Sequence, residues 1–153
     1  MKNIYLASPY WHVDELVRER RYWAAVKASA RLMEQDSNLN IFSPIIHSHP
    51  ISQYMGNKTH NFWLERDFEY ITLFADELWV LKLQGWGEST GIAMELKFVG
   101  IDMPIHYIDP KSLSIDENVF TSCISQYKDL HKIVQTDAIG QENCKVTVND
   151  KAH

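Results

Sequence analysis

Glu77 to Val99 reads ELWVLKLQGWGESTGIAMELKFV, and its three parts decide the fold. Glu77–Leu83 is an apolar run of strand formers, and Gly85, Trp86 and Gly87 break it with a turn. Ser89 or Thr90 then offers a side-chain cap for a helix running to about Val99, which Gly100 stops. A strand feeding a helix through a short glycine turn is half of a βαβ unit. Outward from it the pattern repeats. Asn3–Ala7 (NIYLA) is a short buried strand stopped by Ser8 and Pro9, and Asp14 caps a long helix to about Glu34. Asn40–Ser43 is a second strand closed by Pro44. The stretch 44–60 has turn residues but no clear periodicity, so it is read as an active-site loop. Asn61–Ala75 is a helix, Pro104–Ile108 a strand, and 116–134 a further helix. Alternation of this kind implies right-handed crossovers and a single-domain α/β sandwich, flavodoxin-like (Rossmann-like), with a central parallel sheet of about five strands. The domain is placed at 1–134 and a polar, flexible tail at 135–153. In such sheets ligands bind at the carboxyl ends of the strands.

The 153 residues fit one domain, and 45% hydrophobic with 12% aromatic residues is a globular composition. A net charge of -5 without a clustered basic surface argues against a nucleic-acid polymer as partner, while leaving small anions open. Cys123 and Cys144 have no metal-ligand spacing and no neighbouring base, so neither a disulfide framework, a zinc knuckle nor a catalytic thiol is assigned. A reducing cytoplasm is the simpler setting. The opening MKNIYLA meets Ser8-Pro9-Tyr10 too early for a signal-peptide core, and no apolar run has membrane-spanning length.

Two acids stand out. On the helix 61–75, Leu64, Phe68, Ile71 and Ala75 recur at three- and four-residue spacing, and Asp67 falls on their side. On the helix after the glycine turn, Ile92, Leu96 and Val99 make the apolar stripe, with Glu95 on its flank. A carboxylate on an apolar face must find partners or shift its pKa. Either acid alone reads best as a structural group; two of them, both following strand-end loops, point to chemistry. Ser89, Thr90 and Gly91 add small side chains and free N–H groups suited to a phosphate or a ribose hydroxyl. The turn matches neither GxGxxG nor GxxxxGK[ST], which disfavours a dinucleotide site or a P-loop of the usual type.

These residues together resemble the nucleoside 2-deoxyribosyltransferase superfamily, including its deoxynucleoside 5′-monophosphate N-glycosidases and an uncharacterised phage and bacterial subgroup. The likeness spans about residues 3–108. It rests on IYLASPY (4–10), on ERDFEYITLFADELWVL (65–81) and above all on GWGESTGIAMEL (85–96), similar to the family pattern S-x-G-x-x-x-E. The resemblance implies Glu95 as nucleophile, Asp67 as the acid that assists it, and Tyr5 as a first-strand tyrosine of the nucleotide hydrolases. It implies Ser89 and Gly91 as the sugar- or phosphate-binding turn, and a homodimer whose neighbouring subunit contributes to the pocket. The interval from Asp67 to Asp76 is one residue longer than in the hydrolases, and the HSHP loop is peculiar to the subgroup.

The expected activity is N-glycosidic bond cleavage, by hydrolysis or deoxyribosyl transfer, on a small nucleoside or nucleoside 5′-monophosphate. An ionised carboxylate can trap the oxocarbenium-like sugar, as in retaining glycosidases, and no cofactor or metal is needed. Ser8, Pro9, Tyr10, Arg20, His47 and Trp86 complete the expected substrate contacts, Arg20 for its place near a bound phosphate and Trp86 as the best-placed ring to stack on a base. His47 and His49 form an H-x-H pair, with His12 and His60 in loops, but no carboxylate or Cys completes a recognised metal spacing. The competing reading is a non-catalytic nucleotide-binding module of the same fold.

Overall fold

In a computed structural model that describes residues 1–115, apolar runs and helices alternate as the pattern requires. The four strands are β1 (Lys2–Ala7), β2 (Leu39–Phe42), β3 (Glu77–Leu81) and β4 (Ile105–Ile108). They form one parallel sheet in the order β2-β1-β3-β4, with Ile4 opposite Ile41, Leu6 opposite Trp79, and Val80 opposite Tyr107. The central β1 and β3 are buried on both faces, which is why they read as continuous apolar runs rather than alternating ones. The described residues hold four strands rather than about five. Five is the number the fold type implies, whereas the chain to 115 supplies only four suitable runs. The helix expected at 116–134, the tail 135–153, Cys123 and Cys144 lie outside the described residues.

Four helices flank the sheet: α1 (Glu15–Gln35), α2 (Pro44–Ser52), α3 (His60–Phe74) and α4 (Thr90–Val99). Three begin at side-chain caps: Asp14 accepts from the Leu16 N–H, Thr59 from Phe62 and Ser89 from Ile92, each satisfying a donor that a helix start leaves free. The period-2 alternation of the strands assigns the layers. Ile4, Leu6, Trp79, Leu81 and Ile108 pack with Ala28 and Leu32 of α1 on one face. On the other, Phe42 stacks on Tyr70 of α3 at 3.9 Å and Tyr5 reaches α4. Phe68 and Phe98 stack at 4.1 Å and join α3 to α4. Each buried side chain of this size contributes roughly 1.5–3 kcal/mol.

The stretch 44–60 is not one loop. Its first nine residues form α2, with Ser43 at the N-cap and Pro44 inside the first turn, where a missing N–H does no harm. Pro50 lacks a donor for the helix ladder, and the helix ends two residues later. Only 53–59 stays irregular. Helix α3 starts one residue earlier than Asn61, and β3 ends at Leu81 because Lys82 and Leu83 already turn toward Gly85. Among the described residues no helix is long and apolar enough to cross a membrane.

Candidate active site

Strands β1 and β3 are neighbours whose crossovers leave on opposite faces, α1 on one and α4 on the other. In a parallel sheet that reverses its winding in this way, the carboxyl ends of the two strands are where a crevice is expected. Three of the residues expected there share an electrostatic neighbourhood. Tyr5 has no exposed surface, and its hydroxyl donates to Glu95 Oε1 at 2.7 Å. Glu95 is buried between Ile92 and Val99, where the helical spacing places it. Asp67, half-buried on α3, acts on both through its charge.

Burial dominates the ionisation of the cluster. It pushes Glu95 up to about 8; the Tyr5 hydrogen bond opposes that rise and the Asp67 charge adds to it. Burial alone pushes Asp67 up to about 7. Tyr5 is held well above the ordinary phenol range by burial first, then by the negative charge of Glu95 and of Asp67. Between about pH 7 and 8 the two acids therefore hold about one proton between them, mainly on Glu95, and they titrate as a pair. A phenol that donates to one of them favours the charged form of that one. Such a pair can supply a carboxylate nucleophile and a proton donor together.

The remaining expected residues divide. Ser8 and Pro9 are buried at the end of β1, and among the described residues no hydrogen-bond partner meets Ser8 Oγ or, at the end of β2, Ser43 Oγ. Ser89 is partly exposed, and its Oγ caps α4 by accepting from the Ile92 N–H at 3.5 Å. A Cβ on Gly91 would meet only Ser89 Oγ at 3.9 Å, so packing does not demand glycine there and the space beside it is open. Trp86 lies in a short 3₁₀ turn, Trp86–Glu88, with its ring 5.5 Å from that of Tyr107.

Three residues depart from their expected roles. Arg20 is exposed and its Nε donates to the Leu16 carbonyl of its own helix, so it is not brought to the crevice. The neighbouring Arg21 is the arginine that reaches the loops, with its guanidinium on the Tyr10, Trp11 and Gln84 carbonyls. Its signal was present in the spacing, because 21 shares a stripe with Ala25, Ala28 and Leu32. His47 is exposed and lies against Phe42 and Tyr70. The buried histidine of the pair is His49, whose Nδ1 meets Tyr10 Oη at 2.8 Å and whose Nε2 meets Glu19 Oε2 at 3.0 Å. Tyr10 thus spends its hydroxyl on His49. Among the described residues no three His, Cys, Asp or Glu side chains gather into a group that could hold a metal ion.

A family model described as a domain of unknown function (DUF1937) matches residues 2–104, a span that includes Tyr5, Asp67 and Glu95. No curated protein matches the chain.

Proposed function

This chain belongs to the DUF1937 family, and we propose that it cleaves the N-glycosidic bond of a small nucleoside or nucleoside 5′-monophosphate. The observation that carries the reading is the Tyr5 hydroxyl donating at 2.7 Å to a buried Glu95 whose proton affinity burial has raised. A buried carboxyl with a second acid in electrostatic reach is costly to fold around, and a nucleophile with its proton donor gives that cost a use. The resemblance of Ser89-x-Gly91-x-x-x-Glu95 to the deoxyribosyltransferase pattern supplies the substrate class.

In the proposed reaction the form that reacts is the less populated one with the shared proton on Asp67, and its ionised Glu95 attacks the anomeric carbon as the bond to the base nitrogen breaks. The electron pair leaves with the base, and the proton on Asp67 follows it. Water, giving its proton back to Asp67, then attacks the same carbon and frees Glu95; a second base in place of water gives transfer. Tyr5 favours the charged Glu95, and Ser8 and the Ser89–Gly91 turn hold the sugar or its phosphate. The same reading carries the expectation of a homodimer that completes the pocket, for which sedimentation should show twice the chain mass. Incubation with a panel of nucleosides and 5′-monophosphates should release free base, and Glu95→Ala should not. Binding without release would favour the non-catalytic module.

A further inference from the structure

We propose that Arg21 is a positioning residue, a bridge that fixes the spacing between the loop after β1 and the turn after β3, the two sides of the crevice mouth. Its Nη1 donates to the Tyr10 carbonyl at 3.3 Å and to the Trp11 carbonyl at 2.7 Å, while Nη2 donates to the Gln84 carbonyl at 3.0 Å. One planar fork thus holds two segments far apart in sequence. Among the described residues no backbone hydrogen bond joins 8–13 to 82–89, so this side chain supplies a connection that the ladder does not. Arg18 braces the first loop alone, through the His12 and Val13 carbonyls.

The turn is built to admit the guanidinium. Gly85 has φ 85°, a conformation that other residues adopt only with strain, and a Cβ on it would stand 2.9 Å from Arg21 Nη2. Backbone and side chain therefore specify each other: the glycine leaves the space that Arg21 fills, and Arg21 satisfies the carbonyl just before it. A lysine ammonium has neither the planar fork nor the reach in two directions to replace it.

The catalytic consequence rests on the N-glycosidase reading, although the bridge itself does not. Ser8 follows β1, and the Ser89–Glu95 segment follows the turn. Their separation is then the distance from substrate anchor to nucleophile, and small errors in such a distance are expensive in rate.

Hydrogen exchange on the whole chain tests the bridge, comparing Arg21→Ala and Arg21→Lys with the parent protein over peptides covering 8–14, 82–90 and α3. Both variants should unfold cooperatively in urea. Exchange should rise about tenfold in both loops together, with α3 unchanged, as expected for losing local hydrogen bonds. Guanidinium at sub-denaturing concentration should restore protection in Arg21→Ala but not in Arg21→Lys. Base release should fall about tenfold in kcat, with a smaller change in KM. Unchanged exchange, exchange rising in only one loop, or loosening spread evenly through the chain would each overturn the bridge. Normal kcat despite loosened loops would overturn its positioning role. A parent protein that releases no base sinks the N-glycosidase reading while the exchange comparison still decides the bridge.

Discussion

Ninety residues separate Tyr5 from Glu95, yet one hydrogen bond couples the ionisation of the pair to the first strand. If the reacting form carries a charged Glu95 and a protonated Asp67, base release should follow a bell-shaped pH profile centred between about 7 and 8, where the two acids hold one proton between them. Tyr5→Phe removes the donor that favours the charged form. A hydrogen bond to a charged group is worth roughly 1.5–3 kcal/mol, so the alkaline limb should move up by roughly one to two pH units, as a pH–rate profile would record. A limb that stays in place would separate Tyr5 from the reaction. Glu95→Gln should lower kcat by at least about a thousandfold while leaving the melting transition cooperative, measured by base release and circular dichroism. The inward aim of both acids was legible from helical spacing alone. The hydrogen bond was not, because spacing along one element says nothing about a partner on another. The partners of Arg21 and His49 were hidden for the same reason, since each side chain is satisfied by segments distant in sequence.

Elements announced themselves where local chemistry was unambiguous. Asp14 caps α1 as the sequence reading has it, Ser89 rather than Thr90 proves to be the cap of α4, and Gly100 ends α4. Helix α2 escaped notice because both of its prolines read as breakers and nine residues are too few to show a period. Removing the α4 cap with Ser89→Ala should destabilise by about 1 kcal/mol in urea titration. Gly85→Ala should cost at least about 1–2 kcal/mol, since a Cβ there meets both the left-handed conformation and Arg21. If Gly85→Ala proves neutral, the turn must relax without harm and the tight approach of Arg21 is not required. At the opposite edge of the sheet, Glu77 joins β3 to β1 through Lys2 at 2.7 Å and receives the Trp79 Nε1–H at 2.8 Å. Burial works to raise its pKa, but the Lys2 and Trp79 hydrogen bonds with the Lys2 charge outweigh that and lower it.

At the scale of the whole molecule the ionisable groups pull stability in two directions. Glu77, lowered in the fold, contributes stability that is present above its unfolded value of about 4.3 and is lost as pH falls through its folded value. Glu95 and Asp67, raised in the fold, do the reverse: the folded state binds the extra protons, so stability falls as pH rises from about 4 through 7 and 8. Each acid contributes a slope of up to about 1.4 kcal/mol per pH unit within that window. The melting temperature should therefore peak at roughly pH 4–5 and decline toward pH 8. Asp67→Asn combined with Glu95→Gln should flatten the decline, and a decline that persists would place its source elsewhere. The layer order and parallel sheet were legible as a whole because strand and helix runs simply alternate. The strand total was not, being a property of the fold type rather than of any run before residue 115. That same three-layer packing leaves the Tyr5 phenol with no exposed surface and with Glu95 as its hydrogen-bond acceptor. The ultraviolet transition of a phenol shifts to the red as its acceptor gains charge. An absorbance difference spectrum across neutral pH, compared with that of Tyr5→Phe, would thus report the charge of Glu95 optically and without substrate.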